Sequence, residues 1–245
     1  MKALILNAGY GTRLYPLTLN FPKGLLQIGK KRICDYILEK IKEVGIREVF
    51  LITNARFYNL FKDWGEKNGV KVIHDGTQSP HHRLGAIRDL ELALKEFKIQ
   101  ESLLVLAGDN LYTFSLKGLV KRFQELKEEK FVAGLLEIKD KERIKKYGVV
   151  KVDEKGKIIK FEEKPEKPFS NLASIGIYAY PGSKLHLISE YLGEGNNPDA
   201  PGYFMEWLSK REEVYTFIFK EGKWYDIGNR ETLEMAKKEF GEEGG

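Results

Sequence analysis

The chain has 245 residues, of which 42% are hydrophobic and 31% are charged, so it can bury a core beneath a charged surface and is not intrinsically disordered. This length suits one domain and is too short for two ordinary α/β domains joined by a linker. The net charge is +5 at pH 7 with signs alternating along the chain, which favours phosphorylated small molecules over nucleic acid, whose binding needs clustered basic residues.

The first half of the chain alternates predicted strands with predicted helices. A continuous apolar run predicts a buried strand at 2–7, a helical spacing of apolar residues covers 32–44 up to Gly45, and a second buried strand follows at 48–53. Further elements are predicted as a helix at 57–67, a strand at 70–74, a helix at 84–97 and a strand at 102–107. This order predicts parallel strands with helices on both faces of the sheet.

The second half is predicted to be more antiparallel. Strands are predicted at 131–138, 148–152, 158–162, 174–180 and 213–219, and helices at 184–192, 203–209 and 231–240. Residues 153–156 read as a turn, and Ser183 is placed to cap the helix that follows it. We therefore expect a Rossmann-like, three-layer α/β/α fold with a mixed, mainly parallel sheet, formed by a single domain over 1–245.

The only cysteine and the N-terminus indicate a cytoplasmic protein. Cys34 lies in an apolar helical pattern and is expected to be structural, since one cysteine forms no internal disulfide. The N-terminus lacks a secretory signal, and no apolar run reaches the length of a membrane span. The abundance of Lys, Glu and Arg is typical of heat-adapted proteins.

The most informative motif follows the first strand. Its glycines, Gly9 and Gly11, would let backbone N–H groups approach phosphate oxygens, and Arg13 and Lys23 would supply cationic donors to a triphosphate. Leu14 stands where a dinucleotide fingerprint requires its third glycine, and the chain has no Walker motif. The loop is therefore interpreted as a polyphosphate site of another kind.

The motifs AGYGTRLYPLT and PKGLL resemble the signature of the sugar-phosphate nucleotidyltransferases. The resemblance continues, in the family's order, through LAGD (106–109), YGV (147–149), EEKP (162–165), SIGIY (174–178) and WYDIG (224–228). It implies Mg²⁺-dependent transfer of a nucleotidyl group from an NTP to a sugar-1-phosphate, with release of pyrophosphate. It also implies a nucleotide-binding half at 1–110 and a sugar-phosphate-binding half at 111–245.

The resemblance also implies roles for individual residues. The nucleotide-binding residues would be Ala8, Gly9, Gly11, Thr12, Arg13, Lys23 and Gly85, and the sugar-phosphate-binding residues Gly148, Glu163, Lys164 and Gly176. Asp109 and Asp226 would hold Mg²⁺, and the catalytic set would be Arg13, Lys23, Asp109, Lys164 and Asp226. Without the resemblance, either aspartate would be read as a helix cap or turn, and Glu163–Lys164 as a solvated charge run.

Two departures from the family pattern leave the substrates open. Asn7 stands where the family usually has a small residue beside the base, which predicts altered base reading, and the segment 74–89 lacks the thymidylyltransferase element. His81 and His82 are interpreted as surface residues. The alternatives are a cytidylyltransferase for inositol, choline or a similar alcohol phosphate, and a catalytically silent regulatory subunit. No nucleic-acid or membrane partner is expected, and a homo-oligomer is left open.

Overall fold

The computed structural model describes residues 1–242. The strands are β1 (Lys2–Asn7), β2 (Gln27–Ile28), β3 (Lys31–Arg32), β4 (Val49–Thr53), β5 (Val70–His74), β6 (Leu103–Ala107), β7 (Asn110–Tyr112), β8 (Phe131–Glu137), β9 (Gly148–Val152), β10 (Ile158–Glu163), β11 (Leu172–Tyr180), β12 (Val214–Phe219) and β13 (Trp224–Asp226). The helices are α1 (Ile33–Glu43), α2 (Tyr58–Asn68), α3 (Ala86–Glu96), α4 (Lys117–Glu125), α5 (Lys141–Ile144), α6 (Leu187–Gly193), α7 (Pro201–Ser209) and α8 (Arg230–Glu242).

The chain divides into two compact units, each assembled from separate segments. The first unit comprises 2–84, 107–116 and 222–245, and the second comprises Met1, 85–106 and 117–221. The chain therefore enters the first unit three times, and residues distant in sequence become neighbours within it.

The first unit contains three parallel strands from the N-terminal part of the chain. β1 pairs in parallel with β4, and β4 pairs in parallel with β5. All five residues of β4 are buried, as expected for a parallel strand that is covered on both faces. Two short antiparallel pairs, β2 with β3 and β7 with β13, complete the strand pairing described for this unit.

The second unit is built around β11, which is antiparallel to β6, β8 and β9. β8 also pairs in parallel with β12, and β9 pairs antiparallel with β10. The turn predicted at 153–156 joins β9 to β10, with Gly156 in the left-handed region at φ 76°. The mixed α/β class, with parallel strands first and mostly antiparallel strands later, is confirmed.

Two local predictions differ from the structure. Ser183 does not cap α6, because residues Gly182–Lys184 form a separate 3-10 turn and α6 has His186 at its N-cap without a side-chain bond. Helix α4 was not predicted, although its buried residues Leu119 and Phe123 have the i, i+4 spacing of an amphipathic helix. The pattern is short and has lysine and arginine residues between its apolar positions, which makes the helix difficult to predict from the sequence.

The buried role predicted for the cysteine is confirmed. Cys34 is a free thiol with no exposed surface on α1. Across residues 1–242, we find no helix with the length and apolar character needed to cross a membrane.

Candidate active site

The glycine-bearing loop after β1 is held in place by hydrogen bonds from neighbouring side chains. Gly11 adopts a left-handed conformation at φ 62°, which an L side chain rarely adopts, and leads into a 3-10 turn at Thr12–Leu14. The Thr18 hydroxyl donates to the Gly11 carbonyl at 2.7 Å, and the Tyr10 and Thr77 hydroxyls are 2.8 Å apart. These contacts fix the loop from the protein side.

The other residues predicted at this loop differ in their surroundings. Ala8 is buried, and its carbonyl accepts a hydrogen bond from Asn54 Nδ2 at 3.0 Å. Gly9 is exposed, and a Cβ added to it would meet no atom within 4 Å. The Cα of Gly9 therefore faces open space, and phosphate binding by its backbone stays a prediction.

The guanidinium of Arg13 lies beside the segment that follows β13. A Cβ built on Gly228 would be 3.3 Å from Arg13 Nη2, so the glycine leaves room for this cation. Arg230 Nη2 donates to the carbonyl of Tyr15 at 3.3 Å and links the same two segments a second time. Arg13 therefore lies against Gly228, which is two positions after Asp226 in the sequence.

Lys23 and Asp109 form the central ion pair of the first unit. Lys23 Nζ is 2.5 Å from Asp109 Oδ2, although the two residues are 86 positions apart in sequence. The lysine side chain is 10% exposed and the aspartate side chain 31% exposed, so the aspartate keeps access to solvent. A partly desolvated pair of this kind is a charge-assisted hydrogen bond with defined geometry.

Asp226 is brought next to Asp109 by the pairing of β7 with β13. Asp226 is the antiparallel partner of Asn110, and the N–H of Ile227 donates to the Asp109 carbonyl at 3.0 Å. The described residues contain no group of three or more His, Cys, Asp or Glu that could hold a metal ion. The two aspartates are adjacent at the level of the backbone, and a pair of carboxylates would suit Mg²⁺, because this ion keeps several waters and completes its shell with substrate phosphates.

The second unit holds Glu163 and Lys164 at the end of β10. Glu163 is paired with Gly148 of β9, and its side chain is only 7% exposed. Burial raises the pKa of Glu163 above its ordinary value, while Lys164, whose Nζ lies 3.7 Å from the carboxylate, acts in the opposite direction. This glutamate is not part of a solvated charge run.

Lys164 has a backbone conformation that is unusual for a lysine. Its φ is 52°, in the left-handed region, and its N–H donates to the carbonyl of Tyr147 at 3.1 Å. Such conformations cost free energy and are concentrated at functional sites, where surrounding structure enforces them. The side chain is 45% exposed and therefore accessible to a ligand.

Glycines surround the Glu163 carboxylate. A Cβ on Gly148 would lie 2.8 Å from Glu163 Oε2, and a Cβ on Gly202, at the start of α7, would lie 1.8 Å from it. Gly202 was not predicted from the sequence. The only feature that could have indicated it is a glycine, a poor helix former, directly after Pro201 in the first turn of a helix. Gly176 has φ 72° where the register of β11 is irregular, so its glycine is required by the backbone.

Gly85 also lies in the second unit, and its surroundings explain the residue without a ligand. Its φ is 94°, and a Cβ on it would be 2.6 Å from the Pro198 carbonyl oxygen. The next N–H groups, of Ala86 and Ile87, donate to the carbonyls of Asp199 and Pro198. A nucleotide-binding role for Gly85 stays a prediction.

The predicted residues thus form two groups, one in each unit. The first unit brings together Ala8, Gly9, Gly11, Thr12, Arg13, Lys23, Asp109 and Asp226, and the second brings together Gly148, Glu163 and Lys164. The first group combines two cationic side chains with two carboxylates and an exposed glycine loop. The second offers a buried carboxylate beside an accessible ammonium group.

Comparisons with known proteins agree with this chemistry. The sequence pattern of the nucleotidyl transferase family matches residues 2–243. The mannose-1-phosphate guanylyltransferase catalytic subunit beta of Drosophila pseudoobscura pseudoobscura is 33% identical over 231 residues, covering 93% of this chain and 59% of that protein. The low-salt glycan biosynthesis nucleotidyltransferase of Haloferax volcanii is 29% identical over 246 residues, covering 97% and 65%. The chain spans less than two thirds of either relative.

Solved structures show the same fold. A "putative glucose-1-phosphate thymidylyltransferase" from Bacillus anthracis, in complex with a sucrose, matches with a TM-score of 0.83 at 26% identity, covering 98% of this chain and 95% of that one. UDP-glucose pyrophosphorylase complexed with UDP-glucose matches with a TM-score of 0.81 at 23% identity, covering 99% and 98%, which supports the fold alone. Because the family pattern extends over almost all of its length, the chain belongs to the nucleotidyl transferase family.

Proposed function

We propose that the protein transfers a nucleotidyl group from an NTP to a sugar-1-phosphate and releases pyrophosphate, in a Mg²⁺-dependent reaction. The observation that carries this proposal is the Lys23–Asp109 ion pair with Asp226 on the adjacent strand. Membership of the family supports the reaction type. The substrates named for the relatives, mannose-1-phosphate and glucose-1-phosphate, support a hexose-1-phosphate as acceptor.

The first unit supplies the charge neutralisation that transfer from a triphosphate needs. Arg13 and Lys23 would bind the phosphate oxygens, with the backbone N–H groups of the Gly9–Gly11 loop contacting the same chain of phosphates. Asp109 and Asp226 would hold Mg²⁺, and the bound ion would neutralise charge on nonreacting phosphate oxygens. Fixed cations lower the barrier here because the reaction gathers negative charge and needs little covalent help.

The second unit supplies the acceptor's binding groups. Lys164 would bind the phosphate of the sugar, Glu163 would accept hydrogen bonds from sugar hydroxyls, and the backbones of Gly148 and Gly176 would approach the ring. An oxygen of the sugar phosphate then attacks the α-phosphorus in line, and the bond to the departing pyrophosphate breaks. No general base is needed, because a phosphate monoester is already ionised near neutral pH.

Pyrophosphate release tests this proposal directly. Each common NTP is mixed with a panel of sugar-1-phosphates, and release is followed with Mg²⁺ and with a chelator. We expect release only when the protein, Mg²⁺, one NTP and one sugar-1-phosphate are all present. Asp109→Asn is the matched control, since it preserves size and removes the carboxylate charge. Absence of release for every combination would contradict the proposal.

The same assay, with inositol phosphate and choline phosphate added to the panel of acceptors, separates the alternatives. Release with CTP and an inositol or choline phosphate, but with no sugar-1-phosphate, would identify a cytidylyltransferase for an alcohol phosphate. NTP binding without any release would identify a regulatory subunit. The retention of a paired Lys23–Asp109 and an accessible Lys164 favours the enzyme, because a regulatory domain has no use for both.

Several broader features belong to the same proposal. The range 1–245 would act as one nucleotidyltransferase domain, with the triphosphate bound by 1–110 together with Asp226 and the sugar phosphate by residues of 111–245. The protein would be cytoplasmic and would bind neither nucleic acid nor membrane. Adaptation to heat is supported by shared ion pairs such as Lys130–Glu213–Lys157, and a melting temperature measures it.

A further inference from the structure

The side chain of Asn7, at the end of β1, is buried and uses both hydrogens of its amide. Asn7 is 6% exposed, and its Nδ2 donates to Cys34 Sγ at 3.1 Å and to the Gly108 carbonyl at 3.3 Å. Cys34 belongs to α1, and Gly108 immediately precedes Asp109. The amide therefore connects α1 to the turn that carries the proposed metal-binding aspartate.

The same amide also contacts the segment that carries Lys23. A Cβ built on Gly24 would lie 2.1 Å from Asn7 Nδ2, and a Cβ built on Gly108 would lie 2.6 Å from it. Neither glycine has a φ in the left-handed region, so the backbone conformation does not require glycine at either position. All three atoms nearest to a Cβ on Gly24 belong to Asn7, so this glycine is needed because the amide packs against its Cα atom. A Cβ on Gly108 would also meet the Leu6 carbonyl oxygen at 2.8 Å, so the amide is one of two reasons for that glycine.

We propose that Asn7 is a positioning residue that holds Lys23 and Asp109 in register, an inference that rests on the proposed function. The amide contacts Gly24, next to Lys23, and Gly108, next to Asp109, and the two charged groups meet at 2.5 Å. Misplacing a reacting group by about 1 Å can cost on the order of 100-fold in rate. Because its amide is bonded to Cys34 and Gly108, Asn7 would prevent such a displacement from within the protein, and the altered base reading predicted for it stays a prediction.

A double-mutant cycle tests the contact itself. Gly24→Ala in the wild-type background should lower the melting temperature by at least about 2 to 4 °C, because the new methyl group overlaps the amide. In the Asn7→Ala background the same substitution should cost little or be favourable, since the amide is gone. Additive changes in melting temperature would overturn the proposal, because they would show that Asn7 and Gly24 do not touch.

Kinetics separate positioning from ordinary support of the fold. Trp64→Phe is a matched control, since it deletes the 2.7 Å hydrogen bond from Trp64 Nε1 to Asp35, the neighbour of Cys34 on α1, without touching Lys23 or Asp109. We expect Asn7→Ala to lower kcat by about 100-fold with an unchanged KM for the sugar phosphate, while Trp64→Phe keeps kcat within about twofold of wild type. Equal kcat values for the two variants would overturn the positioning role.

Calorimetric NTP binding distinguishes failure of this inference from failure of the proposed function. If the wild-type protein releases no pyrophosphate, the enzymatic function fails, yet Asn7→Ala should still weaken NTP binding by about tenfold through Lys23. Unchanged NTP affinity in Asn7→Ala would overturn the role of Asn7 whether or not the protein is an enzyme. A wild-type protein with neither activity nor NTP binding would overturn both.

Discussion

The left-handed backbone of Lys164 allows its functional role to be separated from its effect on stability. A left-handed conformation costs an L-residue about 1 to 2 kcal/mol, and glycine avoids this cost but loses about 0.5 to 1 kcal/mol through its greater freedom in the unfolded chain. At φ 52°, Lys164→Gly should therefore be more stable than Lys164→Ala by about 1 kcal/mol. Both variants lack the ion pair with Glu163, so the comparison isolates the backbone.

Lys98 provides the matched control. Lys98 also has φ 52°, is exposed, and follows the C-terminus of α3. Lys98→Gly should therefore be more stable than Lys98→Ala by a similar amount. For a chain of this length, about 1 kcal/mol corresponds to a difference of roughly 2 to 4 °C in melting temperature. Unchanged slopes in urea unfolding would show that the variants differ in stability and not in the surface that unfolding exposes.

Enzyme activity should depend on which lysine is replaced, and not on whether glycine or alanine replaces it. Both Lys164 variants should raise the KM for the sugar phosphate and lower turnover, because loss of a charge-assisted bond costs about 1.5 to 3 kcal/mol, while calorimetric NTP binding stays unchanged. Both Lys98 variants should retain the wild-type rate. Wild-type kinetics in Lys164→Ala would remove this lysine from the site. Equal stability of the two Lys164 variants, with a difference at Lys98, would refute the backbone argument.

Three further perturbations test other parts of the site. Asp109→Asn should reduce turnover by several orders of magnitude while circular dichroism shows a folded protein, and near-normal Mg²⁺-dependent activity would contradict its role. Arg13→Ala should weaken calorimetric NTP binding by about 1.5 to 3 kcal/mol, and an unchanged affinity would exclude Arg13. Because burial raises the pKa of Glu163, the folded state holds this proton to higher pH than the unfolded chain does. The contribution of this group to stability is therefore fully present below pH 4.5 and is lost as pH rises through the folded pKa. Glu163→Gln should remove this decline in urea unfolding, and a pH profile identical to that of the wild type would argue against a buried carboxyl group.

Much of the fold could be predicted because its signals are local. The continuous apolar runs of β1 and β4 and the amphipathic spacing of α1 depend on neighbours within a few residues, and these elements were predicted to within about two residues at their ends. Helix α4 was missed because its pattern is short and interrupted by lysines. The start of α6 was misplaced because Ser183 offered a capping signal that the 3-10 turn does not use.

The geometry of the site could be predicted only through the family resemblance. Nothing local connects Lys23 to Asp109, 86 positions away, or Asp226 to Asn110, because each contact is made when separate chain segments enter the same unit. Gly202 was missed for the same reason, since the carboxylate that requires it belongs to Glu163 on another element. Side-chain contacts across elements are set by tertiary packing, which a single sequence does not display.

Glycine is required near the proposed site for two different physical reasons, and the difference shows which side chains have their position fixed by packing. Gly11 has a positive φ, so its backbone conformation explains the residue. Gly24 and Gly202 have ordinary conformations, and each instead makes room for one polar side chain, the amide of Asn7 or the carboxylate of Glu163. A methyl group at either position would displace that side chain rather than strain the backbone. Glycines required for the second reason therefore identify side chains whose position is fixed by packing, and in this chain those side chains adjoin the residues proposed to bind both substrates.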